Sequence, residues 1–388
     1  MPQIIIIDPC LYSNIGHEYA MNKFLVQEGK RHNYTPIVLC YKDFLPQDSE
    51  REIFYPILTT SPYQKRELSL KYDNKINHDG NKEIFSILQR IFPKNKLAAK
   101  SIILLHTACN SLLLGLSRWL KTINREDIHV RLVFRWPITM NVYNKKNAER
   151  FFQKTATILS QIGGDIRFYA DNKELLMYYQ QLTDISFSLT PIGIHFYNAP
   201  TVPQPSKEEG LRFVFVGSPR MEKGVDLICS AIEYHQKMFP KDIFHIHCVG
   251  GQEIQKRLNE TYPENVKTYS DFLHGRPYFE YILRGDVVLL PYHANSYHLR
   301  TSHIFMEALG LGRAVIVSKD TWMDFQCSDM KEKVGIVMQE WSIEALLQAM
   351  KEVHEQRTEI LKNAYNISYS IQQKHNPENW MRLMLEGL

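Results

Sequence analysis

With 388 residues, 44% hydrophobic and 23% charged, the chain is too long for one ordinary core and too apolar to be disordered. It fits two domains of about 150 to 200 residues. The 46 basic and 42 acidic side chains leave a formal charge of +4, too mild to argue for a nucleic-acid partner. No apolar run approaches the roughly 18 to 20 residues of a membrane span, and MPQIIIIDPC reads as a short strand, not a signal peptide, so a cytoplasmic protein is expected. The 6 cysteines are scattered with no CxxC pair, which indicates neither a disulfide framework nor a zinc site.

Short apolar runs alternate with helical patterns, the signature of stacked βαβ units on a parallel sheet. In the first half the strands are expected at Ile4 to Ile7, Ile37 to Cys40, Ile102 to Leu105, His129 to Phe134, Ile166 to Ala170 and Ile185 to Phe187. The clearest helix sets Ala148, Phe151, Phe152, Thr155, Ile158, Leu159 and Ile162 on one face and closes at Gly163-Gly164. Between Lys42 and Lys100 the pattern fails, and the stretch reads as a solvated insertion with a helix around Ile84 to Ile91. A basic or acceptor-binding patch there is the competing reading.

Asn198 to Gly210, NAPTVPQPSKEEG, is the best interdomain linker in the chain. A second alternating series follows, at Phe213 to Val216, Phe244 to Val249, Val287 to Leu290, Ala314 to Val317 and Gly335 to Met338. The expected architecture is therefore α/β, with two Rossmann-like domains facing across a cleft. Domain bounds fall at 1–200 and 201–365. The remainder, 366–388, carries Trp380, Leu383, Met384 and Leu388 at the spacing of one helical face and is expected to return to the first domain.

In FVGSPRMEKGVDL the strand ends at Gly217, the turn presents Ser218, Arg220 and Lys223, and Gly224 opens a helix over Val225 to Met238. A helix N-terminus offers unpaired N–H groups and about half a positive charge, so two cations beside it make a seat for a diphosphate. Arg220 can fork onto phosphate oxygens while Lys223 supplies a compact charge. A solvated turn that merely carries two cations is the other reading of the same residues. Glu307 likewise reads either as a site carboxylate or as an ordinary acid in a first helical turn.

The strings VGSPRMEKGVDLI and FMEALGLGRAVIVS resemble the two recurring signatures of the retaining glycosyltransferases of family 4, which have the GT-B fold. HIHCVGGQE, DVVLLPYH and VGIVMQEWSIEALLQAM extend the resemblance over nearly all of residues 211 to 353. By that resemblance Arg220 and Lys223 match the pair on the donor phosphates. Glu307 matches the second acid of a Glu-x7-Glu motif, which accepts hydrogen bonds from the nucleotide ribose. Leu299 stands where the first acid falls, and Arg300, Thr301, Ser302 and His303 fill the loop that faces the donor sugar and phosphates.

The first half resembles the same family more faintly. Gly16 is what is left of a glycine-rich loop against the donor diphosphate, with His17 beside it. IILLHTACN is similar to a strand ending in a His, here His106, and VRLVFRW ends in Arg135 where many members place an active-site His. Arg135 is thereby expected at the donor sugar or acceptor and His106 and Trp136 at the acceptor. A plain turn at Gly16 and a surface cation at Arg135 are the competing readings.

The resemblance implies transfer of a sugar from a UDP- or GDP-type donor to a carbohydrate or lipid-linked acceptor, with retention, no cofactor, no metal and no protein nucleophile. It also implies cell-surface polysaccharide or glycolipid synthesis, with peripheral contact at the inner face of the membrane. Two other functions stay open: a nucleotide-sugar epimerase of the same fold, and a catalytically silent sugar-nucleotide-binding partner, which the acid missing at position 299 keeps in play.

Overall fold

The computed structural model describes residues 1–14, 16–62, 69–93, 97–124, 127–201, 210–262 and 264–388. They form two compact units, residues 1–193 with 377–388, and residues 194–376.

The first unit runs β1 (Gln3–Asp8), α1 (His17–Arg31), β2 (Thr35–Tyr41), β3 (Phe54–Leu58), α2 (Leu70–Ile91), β4 (Ile102–Leu105), α3 (Asn110–Leu120), β5 (His129–Phe134), α4 (Lys145–Gln161), β6 (Asp165–Ala170), α5 (Lys173–Leu182) and β7 (Phe187–Leu189). The second runs β8 (Arg212–Phe215), α6 (Val225–Met238), β9 (Ile243–His247), α7 (Gln252–Thr261), β10 (Val266–Tyr269), α8 (Arg276–Leu283), β11 (Val287–Leu290), α9 (Ala294–Tyr297), α10 (His303–Gly310), β12 (Ala314–Ser318), α11 (Trp322–Asp329), β13 (Gly335–Met338) and α12 (Ile343–Lys374). A last helix, α13 (Pro377–Met384), belongs to the first unit.

Each unit holds one parallel sheet, in the order β3-β2-β1-β4-β5-β6-β7 in the first and β10-β9-β8-β11-β12-β13 in the second. Continuous apolar strands explain this: Ile4 to Ile7, Ile102 to Leu105 and Val287 to Leu290 are wholly buried, as strands covered on both faces must be. Both sheets are doubly wound Rossmann-like sheets. The order reverses between β1 and β4 and again between β8 and β11, and ligands of such sheets bind beyond the carboxyl ends of the strands at that reversal. Asp286, just before β11, grips Arg212 at the start of β8, with Arg212 Nη2 2.6 Å from Oδ1 and Nε 3.0 Å from Oδ2. That pair holds the two central strands in register.

The segment after Lys42 is not an insertion. It supplies β3, paired parallel to β2, and the whole of α2, 22 residues long. Its apolar period is hard to see because Asn81 occupies a core position: the Asn81 amide donates to the Asn110 carbonyl at 2.8 Å and accepts from the Gly115 amide at 2.8 Å, joining α2 to α3. Residues 63–68 and 202–209, parts of that segment and of the expected linker, lie outside the described residues. The strand expected at Ile185 to Phe187 forms two residues later, as Phe187–Leu189, and the edge strand β10, with only Val266 buried, had no apolar run to reveal it.

The tail packs on the first sheet through Trp380, Met381 and Met384, which join Ile4, Phe24 and Val38 in one core cluster. Leu388 is left 42% exposed, because α13 ends at Met384, and Met381 takes the place expected for it. What holds the tail is a buried cation inside β5. The fully buried Arg131 donates from Nε to the Met384 carbonyl at 2.8 Å and from Nη2 to Asp165 at 2.7 Å.

In the second unit Asp242, immediately before β9, accepts the Leu211 amide on Oδ1 at 2.7 Å. Its Oδ2 meets His235 Nε2 of α6 at 2.6 Å and His354 Nε2 of α12 at 2.7 Å. Among the described residues these three are the group whose ligand atoms converge as a metal would need. Ligands on a tetrahedral zinc stand roughly 3.3 Å apart, so the separations here are those of hydrogen bonds, and the group staples two helices to the sheet. It sits at the amino end of β9, the opposite edge from the turn after β8.

Replacing Arg131 with Leu takes the guanidinium donor from the buried Met384 carbonyl and from Asp165, which keeps His129 and Arg167 as partners. The expected loss is about 2 to 4 kcal/mol in urea unfolding of the first unit, whereas Arg51→Ala, an exposed pair partner, is expected to change nothing measurable.

Candidate functional site

The turn after β8 lies at the reversal of the second sheet. Gly217 has φ +119° and Gly224 φ +69°, values open to glycine and costly for other residues. At Gly224 a Cβ would also overlap the Pro291 carbonyl, and at Gly217 it would stand 2.8 Å from Lys223 Nζ. Between them Met221–Lys223 makes one turn of 3-10 helix that aims the Lys223 side chain inward.

Lys223 is only 8% exposed, and its ammonium lies 5.5 Å from the centre of the Tyr292 ring. Burial, then the neighbouring charges of Arg220 and Arg300, push its pKa down to about 7. Arg220 stays half exposed, donating to the Tyr297 hydroxyl at 3.1 Å and standing 3.1 Å from Glu222. Arg300 packs its guanidinium 5.2 Å from the Tyr297 ring. Glu307, on α10, is likewise 8% exposed; burial lifts its pKa to about 7 against the opposing pull of a Tyr278 hydroxyl bond and of Lys223. Tyr278 Oη donates to Glu307 Oε2 at 2.7 Å.

The second unit thus brings Gly217, Arg220, Lys223 and Glu307 together at one place. Thr301 and Ser302 are buried at the start of α10, where Ser302 Oγ accepts the Phe305 amide at 3.4 Å, and His303 is half-buried. Ser218 is exposed, its carbonyl accepting the Arg220 amide. Sequence reasoning missed Tyr278, Tyr292 and Tyr297. The string PYHANSYH held Tyr292 and Tyr297 in view five residues apart, whereas Tyr278 sits on α8 with no signal of its own.

In the first unit the reversal lies between β1 and β4, and a buried carboxylate fills it. Asp8 accepts the Cys10 amide at 2.9 Å, the Thr107 hydroxyl at 3.2 Å and the Asn22 amide group at 2.6 Å. Burial alone would raise its pKa; the charge of His106 and these bonds outweigh that and hold it low. His106, expected at the acceptor, is 1% exposed with Nε2 3.2 Å from Asp8 Oδ2, so it faces the core carboxylate. Arg135 is not a surface cation: its side chain is largely covered and its Nε lies 3.8 Å from Asp171 Oδ2. Gly16, with φ +93°, precedes α1, and the exposed His17 holds Nε2 2.6 Å from Glu18 Oε1.

Trp136 is 6% exposed and offers no open stacking face. It lines a cavity with Asp73, Cys109, Asn110, Ile138 and Met140, in which Asp73 Oδ1 and Asn110 Oδ1 are buried without a hydrogen-bond partner. Such orphaned acceptors are costly and mark a place for a donor from water or ligand. A larger cavity of about 580 Å³ between α4 and β6 contains none of the candidate site residues.

No protein-family model matches the chain, and no curated protein matches it. Solved structures do match along its length. Sucrose-phosphate synthase from Thermosynechococcus elongatus is 13% identical, with a TM-score of 0.65 over 99% of this chain and 97% of that one. WaaG, a glycosyltransferase involved in lipopolysaccharide biosynthesis, is 14% identical at a TM-score of 0.61 over 99% and 100%. HepE of Anabaena, solved with UDP and glucose, is 11% identical at 0.60 over 100% of both chains. The chain has the fold of the GT-B glycosyltransferases.

Because the folded pKa of Lys223 lies below its unfolded value near 10.4, the unfolded chain binds more protons between about pH 7 and 10. Its burial therefore costs most below pH 7 and ceases to cost above pH 10. Lys223→Met is expected to raise the thermal midpoint at pH 6.5 by a few degrees, with the gain shrinking as the pH is raised to 10; calorimetry of both proteins across that range checks it.

Proposed function

We propose that the chain is a glycosyltransferase that moves a sugar from a nucleoside-diphosphate donor to an acceptor hydroxyl. The observation that carries this is the buried Lys223 ammonium, held beside Arg220 and Arg300 at the strand reversal of a Rossmann-like sheet, with Glu307 next to it. Arg220 and Lys223 from the turn and Arg300 from the segment before α10 repel one another, Glu222 and Glu307 offset only part of that, and a multiply charged anion neutralises the rest. A diphosphate at the start of α6 does so.

In transfer, the bond from the anomeric carbon to the diphosphate oxygen breaks and negative charge grows on the leaving group. Cations fixed in advance and shielded from water stabilise that charge most. Lys223 and Arg220 serve in this role, and Glu307 takes the ribose hydroxyls. Since side chains supply the positive charge, the reading includes no divalent ion and no protein nucleophile. Retention of configuration rests on the resemblance of residues 211 to 353 to the retaining family. HepE holds UDP, and UDP-glucose in a further structure, so UDP-glucose is the first donor to assay.

On this reading the acceptor meets the first unit. The buried oxygens of Asp73 and Asn110 need donors, and the cavity of about 40 Å³ beside Trp136 has room for one projecting hydroxyl of a carbohydrate or lipid-linked sugar. No helix among the described residues is long and apolar enough to cross a membrane. Peripheral contact with a lipid-linked acceptor at the inner membrane face, in synthesis of a surface polysaccharide or glycolipid, rests on the resemblance of residues 211 to 353 alone.

The test is titration calorimetry with UDP, GDP and ADP, followed by NMR of the anomeric proton in products from a panel of nucleotide sugars. Lys223→Met is expected to weaken diphosphate binding at least a hundredfold at pH 7. Affinity of the wild-type protein should decline above pH 7, as Lys223 loses its proton, and below it, as Glu307 gains one. A protein that binds no nucleotide sinks the proposal; one that binds without turnover with any donor is the silent partner instead.

Asp73→Asn turns one orphaned acceptor into a donor while its remaining oxygen still accepts the Tyr143 amide. Acceptor KM is expected to rise about tenfold, with donor KM unmoved, in initial-rate kinetics.

A further inference from the structure

Glu307 has two carboxylate oxygens, and a single side chain has claimed one of them. The Tyr278 hydroxyl, on α8, donates to Oε2 at 2.7 Å, and among the described residues no other hydrogen bond reaches that carboxylate. The arrangement joins two helices far apart in sequence. Pro277 and Gly275, with φ +58°, fix the first turn of α8 and hence the ring's entry angle. The ring packs at 5.6 Å against Phe279, so the hydroxyl is not free to search for another partner.

A carboxylate on a helix can rotate about its last torsion, so one that must receive a ligand's hydroxyls needs an orienting bond. Lys223 attracts Glu307 electrostatically but, among the described residues, makes no hydrogen bond to it, and in a loaded site its ammonium belongs to the phosphates. The apolar Leu299 brings no carboxylate to share the task.

We infer that Tyr278 is the positioning residue of the nucleotide site: by occupying Oε2 it aims Oε1 of Glu307 at a ribose hydroxyl, and so makes the site select ribo- over deoxyribonucleoside diphosphates. The inference rests on the proposed donor site. The hydroxyl bond also stabilises the ionised form of Glu307, opposing the burial that raises its pKa. The groups facing that carboxyl are Tyr278 from α8, Lys223 from the turn after β8, and Tyr292 from the loop after β11.

The experiment uses the full chain and Tyr278→Phe, which keeps the ring and deletes the oxygen. Calorimetry measures whichever of UDP, GDP and ADP binds best, its 2′-deoxy and 3′-deoxy forms, and inorganic pyrophosphate, from pH 5.5 to 8.5. The wild-type protein is expected to prefer the ribonucleotide over at least one deoxy form by tenfold or more. Tyr278→Phe should shrink that ratio to threefold or less and move the acid limb of ribonucleotide binding to higher pH, while pyrophosphate affinity stays within error and the thermal midpoint falls by no more than a few degrees, as loss of one bond to a buried carboxylate requires. Glu307→Gln should abolish the preference in both backgrounds. If Tyr278→Phe keeps the ratio and the acid limb, or weakens pyrophosphate as much as nucleotide, the tyrosine merely packs and the inference is wrong. If no nucleotide and no pyrophosphate binds the wild-type protein, the donor reading falls first and takes the inference with it.

Discussion

An ammonium kept out of water next to two guanidinium groups is energetically uphill, and much of the second unit exists to hold it there. Gly224 lets the chain turn tightly against Pro291, the Tyr292 ring covers the Lys223 stem and head, and the Arg212–Asp286 pair keeps the two strands that frame the turn from sliding. Of these only the Tyr292 ring itself attracts a cation. Folding accepts the cost because the sheet and helices around the turn are over-determined by apolar burial, a familiar trade at functional sites.

The two sheets share one winding rule and differ in sign at the point where it matters. Beyond β8 and β11 the chain gathers three cations with two carboxylates, Glu222 and Glu307. Beyond β1 and β4 it buries Asp8 on a web of donors, with Glu18 and Asp171 nearby and Arg135 partly covered. A common architecture thus gathers positive charge in one unit and buried carboxylates in the other. The chemistry resides in the loops after the strands, and the strands themselves only space those loops.

Legibility from sequence followed local physics. Val287 to Leu290, Gly335 to Met338 and the helix over Val225 to Met238 were readable to the residue because each is a short apolar run or period bounded by a turn. Arg220, Lys223 and Glu307 were readable as a group because two of them share one turn and the third sits in a recognisable string. Where polar residues carry structural weight the pattern went dark: Asn81 inside α2 and Arg131 inside β5 look like surface residues in a string of letters and are buried in three dimensions. Contacts between distant segments, such as Tyr278 with Glu307 or Asp242 with His354, leave no periodicity at all.

The return of α13 to the first sheet shapes how the molecule is made. Trp380, Met381 and Met384 complete a core whose other members, Ile4, Phe24 and Val38, lie near the chain's beginning. During synthesis the leading residues emerge from the ribosome long before their last packing partners have been translated. The second unit, continuous from 194 to 376, can close as soon as it is clear of the exit tunnel, while the first waits with an open apolar trench. The half that leaves the ribosome first is therefore the half that finishes folding last.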